Sequence, residues 1–152
     1  MSSARRLLEE LNKSRRDGGT DQLQLQLVDE DDLYRWRATI SGLDGPYEGG
    51  VWAVDIAVPA SYPFAPPEMR FRTPMCHPNV HIKTGEICLD ILKTEWTPAW
   101  TLESACMAVI SLLSDPAIDN PLNIDAANVL RAGDRQAYEG LVRYHTRRHA
   151  RA

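Results

Sequence analysis

The chain has 152 residues, of which 43% are hydrophobic and 25% are charged. This is enough to bury one core, so we predict a single domain over residues 1–152. The net charge of −4 gives no overall reason for binding nucleic acid. The sequence has no apolar run of 18 residues and its start lacks the apolar region of a signal peptide, so we expect no direct membrane insertion.

The cysteines indicate a reduced, intracellular protein. There are three of them, an odd number, at positions 76, 88 and 106, and no two form a CxxC pair. This argues against both a disulfide framework and a zinc module. His77 and His81 lie near Cys76 and Cys88, but their spacings do not match a zinc site, so we predict no metal.

The first predicted element is a helix at the start of the chain. Its apolar residues recur with helical spacing, which predicts one buried stripe formed by Ala4, Leu7, Leu8 and Leu11. The pair Gly18-Gly19 predicts its end. Basic residues gather near both ends of the chain, and we interpret them first as solvated helix faces.

Four short strands follow, near residues 23–27, 34–40, 51–58 and 69–73. In the first, leucines alternate with glutamines, as in a half-buried strand. The acidic run 29–32 is predicted to be a hairpin loop, and the glycine-rich run 41–50 a second connection. Because no helical pattern separates the strands, they predict an antiparallel meander.

Residues 74–100 support no long periodic element, although they contain two cysteines, two histidines and two tryptophans. Such a stretch inside a compact domain indicates function. Helical periodicity returns in three segments, near 102–113, 125–131 and 136–147, with Asp134 as the predicted cap of the last one. The predicted fold class is therefore α+β: an N-terminal helix, a four-stranded antiparallel β-meander, an irregular active-site stretch and three C-terminal helices.

Cys88 has two readings when it is considered without any relative. It lies just after Gly85 and among the apolar residues Ile87, Leu89, Ile91 and Leu92, so it could be a small buried hydrophobic residue. It could also be a nucleophile, because the turn His77-Pro78-Asn79 upstream could hold an amide side chain over the sulfur atom.

Four motifs in order carry a resemblance to the ubiquitin-conjugating enzyme family. They are Tyr62-Pro63-Phe64-Ala65-Pro66-Pro67, His77-Pro78-Asn79-Val80, Gly85-Glu86-Ile87-Cys88-Leu89 and Trp96-Thr97-Pro98-Ala99. Each is weak alone, but their order and spacing resemble that family from the opening helix to about Arg148. The resemblance implies the family's fold, which agrees with the order of elements read from periodicity.

The resemblance implies that Cys88 accepts ubiquitin from an activating enzyme as a thioester. Asn79 would donate a hydrogen bond to the oxyanion or hold the loop that supports the active site, and His77 with Pro78 would be structural. No cofactor is implied, since ATP is used by the upstream activating enzyme. A general-base role for His77 is the less favoured alternative.

The loop from Asp115 to Leu122 bears on the acceptor. Many members of the family have an acidic residue where this chain has Asn120, with Asp119 beside it, and we regard both as weaker catalytic candidates. The stretches 77–92, 121–123 and 130–134 resemble the peroxisomal branch of the family. That branch places ubiquitin on a cysteine of the peroxisomal import receptor for its recycling, and a thiol acceptor needs less help from an acidic neighbour.

The same resemblance implies the partners. Arg5, Phe64, Pro98 and Ala99 match positions where the family binds RING-type ligases and the activating enzyme. An exposed Phe64 between prolines would make a good interface centre, although it could instead plug into the core. The branch implies a cytoplasmic enzyme that a membrane-anchoring partner recruits to the cytosolic face of the peroxisomal membrane. The four tryptophans are predicted to belong to the core.

Three rival functions remain open from the sequence. The first is a ubiquitin-binding variant that keeps the fold without catalysis, although such variants lack the cysteine. The second is an unrelated cysteine hydrolase with Cys88 and His77 as a dyad. The third is conjugation in general cytosolic ubiquitination or with another ubiquitin-like modifier, which the choice of activating enzyme would decide.

Overall fold

The computed structural model describes residues 2–151 and has the predicted α+β order. A helix, four strands and three further helices follow one another along the chain, with two single-turn 3-10 helices in the connections. Their bounds are α1 Ser3–Asp17, β1 Leu23–Leu27, β2 Arg35–Ile40, β3 Trp52–Ala57, β4 Glu68–Phe71, α2 Leu102–Ser114, α3 Ile124–Arg131 and α4 Arg135–His149. The prediction of the fold class is confirmed.

The sheet is the predicted meander, with strand order β1-β2-β3-β4 and antiparallel pairing throughout. Inward and outward residues alternate, so Trp36, Ala38 and Ile40 of β2 are buried while the residues between them are more exposed. The acidic run lies in the β1–β2 hairpin, where Asp29 and Asp32 accept hydrogen bonds from nearby backbone N–H groups.

The prediction for α1 is only partly right. Leu7 and Leu11 are buried, and Gly18 ends the helix in the left-handed conformation. Ala4 and Leu8, however, are exposed, so the buried stripe is narrower than predicted. The adjacent face carries Arg6, which binds the backbone of Trp100, and Glu10, which binds the side chain of Tyr62.

The C-terminal helices begin at side-chain caps. Thr101 and Ser104 form a capping box at the start of α2, and Asn123 caps α3. Asp134 caps α4 as predicted by accepting a hydrogen bond from the backbone N–H of Ala137. Of the tryptophans, 36, 52 and 96 are buried, and Trp100 packs against the core. No helix within residues 2–151 combines the length and the apolar character needed to cross a membrane.

Candidate active site

A small hairpin leads the chain to Cys88. Val80 pairs with Ile87, and the backbone N–H of Gly85 donates to the carbonyl of His81 at 2.9 Å. Gly85 has a φ of 75° and its carbonyl accepts a hydrogen bond from the N–H of Phe71. A Cβ atom at this position would collide with the backbone carbonyl of Phe71. Only glycine therefore allows the hairpin to lie this close to β4.

Cys88 differs from the other two cysteines in its exposure. It is half-buried, whereas Cys76 and Cys106 are buried. Burial raises the pKa of the Cys76 thiol to about 11 and that of Cys106 to about 12. Because the thiolate is the nucleophile, these two groups are poor candidates for chemistry at neutral pH, and Cys88 is the thiol that a substrate can reach.

The segment before the hairpin holds Cys88 from one side. The backbone N–H of Cys88 donates to the carbonyl of Asn79 at 2.8 Å. The Asn79 side chain, 1% exposed, forms two hydrogen bonds with the backbone of Ala117: Nδ2 donates to its carbonyl at 2.5 Å, and Oδ1 accepts from its N–H at 2.9 Å. Asn79 thus joins the cysteine to the loop between α2 and α3.

This geometry bears on the two roles considered for Asn79. An amide side chain has two N–H groups, and the contact with Ala117 uses one of them. The two hydrogen bonds between the Asn79 side chain and Ala117 support the loop between α2 and α3. The second N–H is the group that an oxyanion role would require, so the two roles are compatible on one side chain.

The loop of residues 115–122 is fastened at a further point. The carbonyl of Pro78 accepts hydrogen bonds from the N–H groups of Leu122 and Asn123, at 2.9 and 3.0 Å. Between the two fastened points lie Asp119 and Asn120, both exposed, and Asn120 has a φ of 53°. Asparagine tolerates this left-handed conformation better than most residues. The structure therefore places both side chains on the accessible part of the loop.

His77 is fully buried and both of its ring nitrogens are bonded. Nδ1 accepts a hydrogen bond from the N–H of Asn79 at 3.0 Å, so the proton is assigned to Nε2, which donates to the carbonyl of Leu112 at 2.8 Å. Burial lowers the pKa of His77 to about 4. A neutral imidazole with both nitrogens engaged is a structural brace between the turn and α2, and these contacts argue against a dyad with Cys88.

The four residues considered for partner binding are all exposed. Phe64 has 79% of its surface accessible, so it does not plug into the core. Pro98 and Ala99 lie on a second loop, and Arg5 lies on the outer face of α1, where it forms a long 3.9 Å ion pair with Glu9. An exposed aromatic side chain on a loop next to a second exposed loop has the character of an interface centre.

Sequence reasoning missed two features of this region. Ala117 offers only backbone groups to Asn79, so its side chain carried no signal. Arg6 and Glu10 lie outside the apolar stripe predicted for α1, yet their side chains are only 18% and 13% exposed. Their i, i+4 spacing and opposite charges were the available signal, but that spacing is also common on exposed helix faces.

Within the described residues, no group of three or more His, Cys, Asp or Glu side chains is placed to hold a metal ion. His77 could not join such a group without losing one of its two hydrogen bonds. The site thus consists of a half-buried thiol, an amide and a fastened loop, which together suit acyl transfer through sulfur.

Comparisons with known proteins agree with this reading. Residues 6–146 match the family model described as ubiquitin-conjugating enzyme. The chain is 46% identical over 148 residues to "Protein PEROXIN-4" of Arabidopsis thaliana, covering 96% of this chain and 94% of the relative. It is 53% identical over 120 residues to "Ubiquitin-conjugating enzyme E2 pex4" of Dictyostelium discoideum, covering 78% and 80%.

A solved structure resembles the whole chain. It is the crystal structure of the H. polymorpha ubiquitin-conjugating enzyme Pex4p in complex with the soluble domain of Pex22p. The TM-score is 0.92 with 36% sequence identity, and the match covers 100% of both chains. The motifs, the fold and these similarities lead to one conclusion: the chain belongs to the ubiquitin-conjugating enzyme family.

Proposed function

We propose that this enzyme carries ubiquitin on Cys88 and transfers it to a cysteine of a peroxisomal import receptor. The observation that supports Cys88 is its place in the structure: it is the half-buried thiol of the three, and its backbone is bonded to the segment that also fastens the neighbouring loop. The same fold could keep a cysteine for packing alone, but Cys76 and Cys106 have that environment and Cys88 does not.

The reaction has two exchanges. First, the Cys88 thiolate attacks the thioester carbonyl that joins ubiquitin to the activating enzyme, a new S–C bond forms, and the cysteine of the activating enzyme leaves as a thiolate. Second, an acceptor nucleophile attacks the new thioester, and Cys88 leaves. ATP is used upstream, where the ubiquitin C-terminus is activated, so the enzyme itself needs no cofactor. In each exchange negative charge develops on the carbonyl oxygen, which the second N–H of Asn79 would stabilise.

The loop favours a thiol acceptor. A lysine with an ordinary pKa needs about 4.6 kcal/mol to become neutral at pH 7, whereas a cysteine needs about 2 kcal/mol to become a thiolate. An acidic side chain beside the acceptor would help a lysine lose its proton, but this loop presents an amide at Asn120, with Asp119 next to it. A cysteine acceptor has less need of such help.

The peroxisomal part of the proposal rests on the relatives. The Arabidopsis and Dictyostelium proteins carry peroxin names, and the H. polymorpha enzyme was crystallised with a domain of Pex22p. By analogy, this enzyme works at the cytosolic face of the peroxisomal membrane, held there by an anchoring partner. A RING-type ligase and the activating enzyme bind one docking surface, formed by Arg5, Phe64, Pro98 and Ala99.

A charging assay with activating enzyme, ubiquitin and ATP tests the role of Cys88. The wild type should form a single-ubiquitin adduct that a thiol reductant removes, and Cys88→Ser should form one that the reductant leaves intact. Cys106→Ala is the matched control and should charge like the wild type, because Cys106 is buried in α2. A reducible adduct that persists in Cys88→Ser would refute the assignment. If no variant forms an adduct, and a second ubiquitin-activating enzyme does not restore charging, ubiquitin is refuted as the modifier.

The acceptor is tested separately by following discharge of the preformed thioester onto free cysteine and onto free lysine. The wild type should discharge readily onto cysteine and poorly onto lysine, while Asn120→Asp should gain rate mainly with lysine. Equal rates with both acceptors in the wild type would argue against the thiol preference. Recovery of peroxisomal membrane proteins with the tagged enzyme from cells would support the location, and recovery of none would contradict it.

A further inference from the structure

The two loops of the docking surface are tied to one side chain of α1. The Glu10 carboxylate accepts three hydrogen bonds: from Tyr62 Oη at 2.5 Å and from Arg6 Nε at 3.1 Å on Oε2, and from the backbone N–H of Leu102 at 2.8 Å on Oε1. Tyr62 belongs to the loop that presents Phe64, and Leu102 is the first residue of α2. The carboxylate therefore joins α1, the first loop and the start of α2.

Arg6 extends this connection to the second loop. Its Nη2 donates to the carbonyl of Trp100 at 2.7 Å and to that of Pro98 at 3.1 Å. These two carbonyls flank Ala99, so one guanidinium group holds the backbone on both sides of a docking residue. The guanidinium also lies 5.6 Å from the centre of the Tyr62 ring, where a cation and an aromatic face attract each other.

A third contact joins the two loops directly. The indole Nε1 of Trp96 donates to the carbonyl of Pro63 at 2.8 Å, and the rings of Trp96 and Tyr62 lie 6.0 Å apart. Phe64 thus follows a residue whose carbonyl is held by the second loop, and Tyr62 is held by α1. The two residues before Phe64 are therefore held by hydrogen bonds, while the Phe64 side chain itself is 79% exposed.

We propose that the largely covered network of Arg6, Glu10 and Tyr62 positions the docking surface, by fixing the distance and orientation between Phe64 on one loop and Pro98-Ala99 on the other. These three are positioning residues: Tyr62 is buried and Glu10 is largely covered, so they act through the loops they hold. The inference rests on the proposed function, since it takes the docking surface as the place where the activating enzyme binds.

The charges explain why the network is sensitive to small changes. A carboxylate can only accept, and here it satisfies three donors at once. Replacing Glu10 with glutamine keeps the size but turns one accepting oxygen into an NH2 group. This group must face a donor, either Tyr62 and Arg6 or the N–H of Leu102, so at least one of the three contacts is lost. Replacing Arg6 with lysine keeps the charge but removes the planar group that reaches two carbonyls and Glu10 together.

The test is the steady-state kinetics of charging, with the activating enzyme as the catalyst and this protein as the varied substrate. Glu10→Gln and Tyr62→Phe should raise KM roughly tenfold, as expected for losing a hydrogen bond to a charged group that preorganises an interface. The kcat value and the unassisted discharge of the thioester onto free cysteine should stay unchanged, because Cys88 and its loop are held by other contacts. Combined with Phe64→Ala, each change should add less than it does alone.

Arg15→Ala is the matched control, since Arg15 is also an α1 arginine paired with a carboxylate, Glu30, but at an exposed position on the hairpin side. Its KM should equal that of the wild type. If Phe64→Ala raises KM while Glu10→Gln and Tyr62→Phe do not, the positioning role is refuted and the docking surface stands. If Phe64→Ala has no effect, the docking surface and the inference both fail.

General damage to the fold is distinguishable from loss of positioning. It would lower kcat and slow unassisted discharge along with the rise in KM, and that result would also refute the inference. Unfolding in urea gives the stability of each variant. Should Glu10→Gln fail to fold, Tyr62→Phe, which removes one hydroxyl group, and Arg6→Lys carry the test.

Discussion

At Asn79 one side chain meets two requirements that come from different parts of the chain. Its backbone carbonyl accepts from the N–H of Cys88, while its side chain binds the backbone of Ala117. The sequence placed Asn79 close to the cysteine but did not reveal its partner, because Ala117 contributes only an N–H and a carbonyl. Every residue type offers the same backbone carbonyl, and nearly every type the same N–H. The sequence therefore cannot indicate which residue such a side chain binds.

Asn79→Ala should slow discharge of the ubiquitin thioester by about 10²–10³-fold if its second N–H serves the oxyanion. It should also lower the free energy of unfolding by about 1–3 kcal/mol, since the N–H and carbonyl of Ala117 lose their partners. Single-turnover discharge and urea unfolding measure the two effects separately. A variant that loses stability but discharges at the wild-type rate would show that loop support is the whole role of this residue.

His77 should make stability depend on pH below neutrality. Burial lowers its pKa from 6.5 to about 4, so between these values the unfolded chain binds a proton that the folded chain does not. The contribution is complete above pH 6.5 and is lost as the pH falls towards 4. By pH 5 the free energy of unfolding should drop by about 2 kcal/mol from this group. The lowered pKa of His145 adds a change of the same sign.

The measurement is urea unfolding at intervals from pH 5 to pH 7.5 for the wild type and His77→Gln. The variant should be less stable at pH 7 because the brace between the turn and α2 is altered. Its stability should nevertheless decline less steeply with falling pH. An unchanged slope would mean that another group causes the acid sensitivity.

At the scale of secondary structure, the existence and order of the strands and helices were more predictable than the contacts between them. Their periodic patterns indicate which face of each element is buried and which is exposed. Asp134 correctly predicted the start of α4. The width of the buried stripe on α1 was not predictable, because Leu8 is exposed while the charged Glu10 is covered by contacts from Tyr62 and Leu102. Those partners lie far away in sequence, where no local pattern reaches.

Gly85→Ala should be severe, because the position combines a φ of 75° with a collision at the carbonyl of Phe71. We expect a loss of at least about 2 kcal/mol in the free energy of unfolding together with poor charging, since the hairpin that leads to Cys88 must move. Thermal unfolding and the charging assay measure both.

Gly140→Ala provides the control within the same chain. Gly140 lies inside α4, and an added Cβ atom would meet nothing within 4 Å apart from the adjoining backbone of its own helix. Alanine is the better helix former, so the variant should gain about 0.5–1 kcal/mol. If both substitutions have similar effects, the special geometry of Gly85 does not matter for the fold.

For the molecule as a whole, the three cysteines should report the integrity of the fold. A thiol reagent such as a colorimetric disulfide should modify Cys88 rapidly in the folded protein, while Cys76 and Cys106 react only when the chain opens, since burial excludes the reagent and raises both pKa values. The absorbance of the released reagent should show one rapidly reacting thiol per molecule in buffer and three in denaturant. Cys88→Ser should have none that reacts fast, and two fast thiols in the folded wild type would contradict this burial.

For the whole molecule, the sequence predicted the family and the order of the elements. It did not predict the side-chain contacts that hold distant segments together. The motifs around Pro63, Asn79, Cys88 and Pro98 pointed to one region of function. The network of Arg6, Glu10 and Tyr62 connects the loops of Pro63 and Pro98, and the Asn79–Ala117 contact holds the 115–122 loop beside the Cys88 segment. Such contacts depend on how the whole chain folds back on itself, and therefore need a structure.

The contact between Asn79 and Ala117 has one more consequence, for how enzymes of this design can be altered. The loop of residues 115–122 is held by hydrogen bonds to the backbone of Ala117 and to the N–H groups of Leu122 and Asn123. The side chains between these points are therefore not needed to hold it. Residues 118 and 119 can therefore be exchanged freely, whereas position 120, with its φ of 53°, accepts mainly Asn, Asp or Gly. Mutational libraries designed in this way should yield folded enzymes whose acceptor preference varies while their capacity to be charged persists.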